Sequence, residues 1–300
     1  MGPGLDVLGC AVTGPGDTVV AEWCDEPGIV VRDPGHPELP GDPALHASAI
    51  AAAAVLRQAL GGGTQPPASG IALTVRKELP LSAGQGGSAA SAVAGAVAAN
   101  ALCGSPLPDD ALLEACLIAE STVAGRHLDN LAPSLLGGVC LICSMDPIDV
   151  IRLPVPTGLF VVLAHPSQRL RTADARAVLP AMIDRGTALH QAAQVAAIVA
   201  ALSSGDLALL GRAIDDRIAE PARAPLIPGF REAKTAALQA GALGASISGA
   251  GPTTFALAGD PACAQAVAVA MEAAFAAQGI TSSVRVCEID RDGARVEIER

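Results

Sequence analysis

The chain has 300 residues, of which 51% are apolar, and 30 acidic side chains stand against 19 basic ones for a net charge of −11. That length suits one large domain or two ordinary ones, with chain enough for a core in each. The acidic balance and the 2% aromatic content, with no Tyr, exclude a nucleic-acid partner held by basic patches and base stacking, and apolar runs such as 50–56 are too short to cross a membrane.

Met1 is followed at once by Gly-Pro-Gly, with no basic and apolar leader, so the cytoplasm is the expected compartment. A Pro/Gly/Asp-rich loop over 33–43 precedes an expected helix over 44–60. Gly70-Ile71-Ala72-Leu73-Thr74-Val75 reads as a strand, and an Ala/Val-rich helix is expected over 88–102. A further helix covers 108–124, opened by Asp109-Asp110, and Gly137-Gly138 turns the chain into an apolar strand over 139–143. The composition shifts at Ser144-Met145-Asp146-Pro147, so an N-terminal domain of residues 1–146 and a C-terminal domain of residues 147–300 are expected.

The second half begins with strands over 148–153 and 158–164 and helices over 172–186, 187–203 and 206–218. A loop with prolines at 221, 225 and 228 leads to a helix over 229–241. A second glycine loop, Ser248-Gly249-Ala250-Gly251-Pro252, precedes a strand over 253–258, and a helix over 261–278 and a strand over 284–288 close the chain. The eight cysteines are scattered; Cys140 and Cys143 form the C-x-x-C pair, which reads as buried small hydrophobes because no second pair accompanies it.

The most informative segment is Pro80-Leu81-Ser82-Ala83-Gly84-Gln85-Gly86-Gly87-Ser88-Ala89-Ala90. A strand, a glycine loop and a helix in that order gather unpaired backbone N–H groups at a helix N-terminus, where the dipole favours an anion. Glycines at 84, 86 and 87 let the backbone take positive φ and approach a ligand closely. The chemistry is that of a phosphate cradle, although neither the Lys-Ser/Thr of a Walker loop nor the distant acidic residue of a dinucleotide site follows. A tight turn ahead of a helix would have the same local composition.

Other stretches are individually weak. Residues 120–133 put carboxylate, imidazole and amide groups into one turn region, and Arg176 and Arg223 each stand near a turn, where a surface charge is the ordinary reading. Taken in order with Gly2-Pro3-Gly4-Leu5-Asp6-Val7-Leu8-Gly9, His127-x-Asp129-Asn130-x-Ala132-Pro133, Thr172-x-x-Ala175-Arg176, Glu220-Pro221-x-Arg223, the second glycine loop and Gly293-Ala294-Arg295-Val296, the chain resembles the homoserine kinases of the GHMP small-molecule kinase superfamily along nearly its whole length.

The resemblance implies an α+β fold: an N-terminal domain like ribosomal protein S5 and a C-terminal ferredoxin-like domain. It implies ATP and Mg²⁺ as cofactors, L-homoserine as the small-molecule substrate, and a step toward threonine; a homodimer is an expectation left open. By the family pattern the 80–90 loop holds the ATP phosphates, and Ser88 and Glu120 hold Mg²⁺, a hard ion suited to oxygen ligands. Asp6, His127, Asn130, Arg176 and Arg223 surround homoserine, with the arginine forks on its carboxylate and Asp6 facing its ammonium group. Asn130 orients the hydroxyl, and Asp129 is either a base or a group that holds the loop. The departures are Gly84-Gln85-Gly86-Gly87-Ser88 where the family has Gly-Leu-Gly-Ser-Ser, His46 where an Asn stands near the adenine, Leu5 in place of a Phe, and a start inside the first motif that implies a missing upstream strand. Another GHMP kinase acting on a different small alcohol, or a ligand sensor without catalysis, are the competing readings.

Overall fold

The computed structural model describes residues 1–59 and 69–298. In the N-terminal half, β1 (Leu8–Cys10), β2 (Thr18–Cys24) and β3 (Ile29–Asp33) precede α1 (Ala47–Ala59). Strand β4 (Gly70–Arg76) then leads to α2 (Gly87–Leu102), α3 (Asp109–Val123), α4 (Leu131–Leu136), β5 (Val139–Met145) and β6 (Ile148–Leu153). One sheet has the order β1-β5-β6 and the other β2-β4-β3, in which only the β3–β4 pair is parallel.

The two Ala-rich helices α1 and α2 form the centre of this half. Small side chains let them approach closely: Ala49, Ala52, Ala89, Ala92 and Ala96 are wholly buried, and Ser48 Oγ donates to Ser91 O at 2.8 Å. A Cβ on Gly95 would stand 2.3 Å from Ser48 O, so this crossing admits no side chain.

The C-terminal half contains β7 (Phe160–Pro166), α5 (Thr172–Ala177), α6 (Arg185–Ser204), α7 (Leu207–Arg212), α8 (Ala219–Arg223), α9 (Phe230–Gln239), β8 (Gly244–Ile247), β9 (Thr254–Ala258), α10 (Pro261–Ala277) and β10 (Ser282–Glu288). Its sheet is antiparallel with the order β10-β7-β9-β8, the ferredoxin-like arrangement. Side chains alternate across the pleat. Val161, Leu163, Phe255 and Leu257 face α6 and α7, whereas Val162, Ala164, Ala256 and Ala258 face α9 and α10. Both faces are covered, which is why these strands read as continuous apolar runs. The whole is the expected α+β fold.

The structure differs from the sequence reading at several boundaries. The helix expected over 172–186 ends at Ala177; Pro180 cannot continue it, and Asp184 caps a new helix by accepting from Thr187 N at 3.0 Å. The helix expected over 206–218 stops at Arg212. The Asp216 carboxylate then gathers the N–H groups of Ile218, Ala219 and Glu220 at 2.8–3.0 Å and starts α8 where the three prolines read as a loop. Pro221 lies in the first turn of α8, where a missing N–H is harmless. The division expected at 146/147 falls on the turn joining β5 to β6. The last residue expected in the first helix, Leu60, lies outside the described residues. Cys140 is buried as expected but Cys143 is exposed, and all eight cysteines are free. Among the described residues no helix is long and apolar enough to cross a membrane.

Candidate active site

The 80–90 segment runs from β4 into the N-terminus of α2. Gly84 and Gly86 have φ of 71° and 70°, and no side chain caps the first turn of α2. By contrast α6, α7 and α10 each have an Asp carboxylate on their first-turn N–H groups. The open donors of α2 are therefore free for an anion. Beneath them lies a buried ion pair. Asp17 and Lys77 are 0% and 3% exposed, and Lys77 Nζ donates to Asp17, to Gly87 O at 2.7 Å and to Ser91 Oγ at 3.2 Å. Asp17 also accepts from the N–H groups of Glu78 and Leu79, both at 3.2 Å. The approach to the loop and its exit are thus fastened to one pair of charges.

At the mouth of α2, Ser88 Oγ donates to Glu120 Oε1 at 3.0 Å. Glu120 comes from the last turns of α3 and is 4% exposed. Its Oε2 is buried without a partner. Burial pushes its carboxyl up to about 7, with the Ser88 hydrogen bond opposing and nearby Asp129 reinforcing the shift. A hydroxyl beside an orphaned carboxylate oxygen fits a hard cation. Among the described residues no group of three His, Cys, Asp or Glu side chains is placed to hold a metal ion.

Asn130 joins this corner to a second group of residues. Its Oδ1 lies 3.2 Å from the point where a Cβ on Gly86 would stand, and its Nδ2 donates to Asp129 Oδ1 at 3.4 Å. Asp129 is buried, and burial raises its carboxyl above the usual range. On the far side Arg176 forks onto Asp6, with Nη2 and Nη1 donating at 2.7 and 3.2 Å. Asp6 has φ of 65°, and His127 Nδ1 is 3.8 Å from its carboxylate. Burial, then Arg176, lowers the His127 pKa, so the ring is held toward its neutral form.

Arg223 is 2% exposed, which removes the surface-charge reading. Its Nε donates to Ala175 O at 2.9 Å and its Nη1 to Gly249 O at 2.8 Å, so α8 is tied both to α5 and to the second glycine loop. That loop packs directly on the first: Ser248 Oγ donates to Gly84 O at 2.8 Å, and a Cβ on Gly84 would stand 2.4 Å from Ser248 O. A cavity of about 950 Å³ opens beside them, touching Gly84, Gln85, Asp129 and Asn130 and extending toward Val93 and Phe255.

Known proteins show the same organisation. Residues 47–138 match the family model for the GHMP kinases N terminal domain and residues 198–277 match that for GHMP kinases C terminal. Proteins named homoserine kinase are 42% identical in Chlorobium phaeovibrioides, covering 98% of this chain and 94% of that one, and 40% identical in Arabidopsis thaliana, covering 99% and 81%. The chain belongs to the homoserine kinase branch of the GHMP kinases. The crystal structure of homoserine kinase from Cytophaga hutchinsonii superposes with a TM-score of 0.92 at 41% identity, covering 97% of this chain and 92% of that one. Mevalonate kinase from L. major has the same fold, with a TM-score of 0.71 at 19% identity.

Within this GHMP kinase the sequence-predicted residues fall into one region that spans both halves. His46 is buried at the start of α1 with Nε2 3.3 Å from Pro34 O and Nδ1 unpartnered. Sequence reasoning missed Asp17, Lys77, Thr253 and Arg285. Lys77 had a usable signal: the sequence contains two lysines, Lys77 and Lys234, and both form ion pairs. Asp17 had none, being one carboxylate among many.

Proposed function

We propose that the chain transfers the γ-phosphoryl group of MgATP to the side-chain hydroxyl of L-homoserine, giving O-phospho-L-homoserine and ADP, as a cytoplasmic step toward threonine. The observation that carries this reading is the Ser88–Glu120 pair at the uncapped end of α2, with Asn130 between it and the Asp6–Arg176–His127 group. The open N–H groups of α2 receive phosphate oxygens. Glu120 and Ser88 would hold Mg²⁺, which neutralises phosphate charge and orients the transferred group.

Phosphoryl transfer depends chiefly on alignment and charge stabilisation, so the work of the acceptor side is positioning. Asp6 takes the ammonium group of the amino acid and Arg176 its carboxylate, each exchanging its present partner for one end of the zwitterion. Arg223 adds positive potential from behind and fixes the backbone around Ala175 and Gly249. Asn130 orients the hydroxyl toward the phosphate loop. Asp129 holds the Asn130 amide.

A coupled ADP-release assay with L-homoserine against a panel of small alcohols tests the reading. Turnover that requires both Mg²⁺ and L-homoserine is expected. Equal turnover with alcohols lacking an amino-acid backbone would assign the pocket to another substrate.

A further inference from the structure

The phosphate loop is divided between the two halves of the chain. Residues 86–88 are held by the N-terminal half, through Asn130 beside Gly86, Lys77 on Gly87 O and Glu120 on Ser88. Residues 82–85 are held by the C-terminal half. Leu170 N donates to Ser82 O at 3.2 Å, Thr253 N to Ala83 O at 3.3 Å and Ser248 Oγ to Gly84 O at 2.8 Å. Gln85 completes the series with its side chain, accepting at Oε1 from Arg285 Nη2 at 2.8 Å and donating from Nε2 to Thr253 Oγ1 at 3.0 Å.

The direction of these bonds is fixed by chemistry. A guanidinium has no acceptor, so the amide oxygen must face Arg285 and the NH₂ must face Thr253. Thr253 Oγ1, already accepting, has its proton free for His165 Nδ1 at 3.0 Å. The ring there is half-buried, and burial, then Arg285, lowers its pKa, in keeping with a neutral acceptor. The run Arg285 to Gln85 to Thr253 to His165 therefore has one donor and one acceptor at each junction and joins β10, the loop, the start of β9 and β7. Gln85 stands between two glycines with positive φ, which have no side chains to stiffen the turn. Its amide points at the C-terminal half and leaves the open end of α2 clear.

We propose that Gln85 and Arg285 act together as a positioning pair: Arg285, from the last strand, sets the conformation of the phosphate loop through the Gln85 amide and thereby the affinity for MgATP. The inference rests on the assignment of that loop to nucleotide phosphates.

The test uses Gln85→Leu, Arg285→Met, the double variant and Arg285→Lys. Amide hydrogen exchange in the nucleotide-free proteins and MgATP and homoserine KM values are measured. Each single truncation should speed exchange over 82–88 and raise the MgATP KM about tenfold, with the homoserine KM little changed. The double variant should be no worse than either single one, because the two residues act as one unit. Arg285→Lys, retaining a donor, should recover part of the affinity. Independent effects that multiply in the double variant, unaltered exchange over 82–88, or equal changes in both KM values would overturn the pairing. Failure of the wild-type protein to bind MgATP would instead overturn the loop assignment and this inference with it, whereas normal wild-type binding with unaltered variants refutes the pairing alone.

Discussion

The corner around α2 and the pocket around Asp6 differ in how far each has paired its own charges. At α2 the first-turn donors have no cap, Glu120 Oε2 has no partner, and the Glu120 carboxyl is pushed up to about 7 by its burial. Around Asp6 the charges have already found one another: Arg176 forks onto Asp6, and two of the Arg223 donors hold backbone carbonyls, while Arg176 Nε and His127 Nε2 are buried without partners. The first region stands to gain whatever it binds, since unsatisfied buried groups are paired on binding. The second exchanges one charged partner for another and has Arg176 Nε and His127 Nε2 still to satisfy. Differential affinity for MgATP should therefore come mostly from electrostatics at α2, and selectivity for an amino acid from geometry around Asp6.

Glu120→Gln strikes hardest at the first region. It keeps the shape and removes the charge that would hold the cation, so turnover at saturating Mg²⁺ should fall by roughly a thousandfold while the fold is retained. Wild-type turnover in that variant, read by the coupled assay, would erase the contrast.

Arg223→Ala should instead act largely on the fold. Its removal leaves Ala175 O and Gly249 O unpaired in the interior, for a loss of about 2–4 kcal/mol in denaturant unfolding together with a raised homoserine KM. A pure KM effect with unaltered stability would mean that Arg223 acts mainly on the substrate.

Arg176→Ala removes one end of an existing ion pair that is partly exposed. Its expected effect is an increase of about ten- to a hundredfold in homoserine KM, with the MgATP KM nearly constant, corresponding to a charge-assisted bond of about 1.5–3 kcal/mol. A matching change in the MgATP KM would show that the two regions are not separable.

The smallest expected effect is on the pH dependence of stability. The folded-state pKa of Glu120, about 7, lies above the 4.5 of a free glutamate carboxyl, so its stabilising contribution is full below about 4.5 and is lost as pH rises through about 7. The apoprotein should lose stability across that window from this group, and Glu120→Gln should abolish the dependence. An identical pH profile of Tm in wild type and variant would contradict the burial argument.

Much of this contrast was legible before any coordinates. The strand, glycine loop and Ala-rich helix around residue 88 are local in sequence, and local propensity fixes them. The motifs around His127 and Glu220 marked residues around Asp6 through resemblance. Tertiary pairing was not legible. Asp17 and Lys77 are far apart in sequence and meet only when β2 pairs with β4, and Gln85 reaches Arg285 across 200 positions. Nor did composition distinguish an arginine that binds a ligand from one that braces a backbone, as Arg223 does. Helix α8 was missed for a related reason, since a carboxylate from Asp216 overrides the prolines that argue for a loop.

The two lysines have a practical consequence for chemical labelling. Lys77 is enclosed with Asp17 beneath the 80–90 loop and Lys234 is paired with Glu220 at 2.5 Å, so neither lysine amine stands free in the folded chain. An amine-reactive pulse therefore tags Lys77 only in molecules whose floor under α2 has opened, and the rate of that tagging is a covalent clock for local unfolding at the heart of the site.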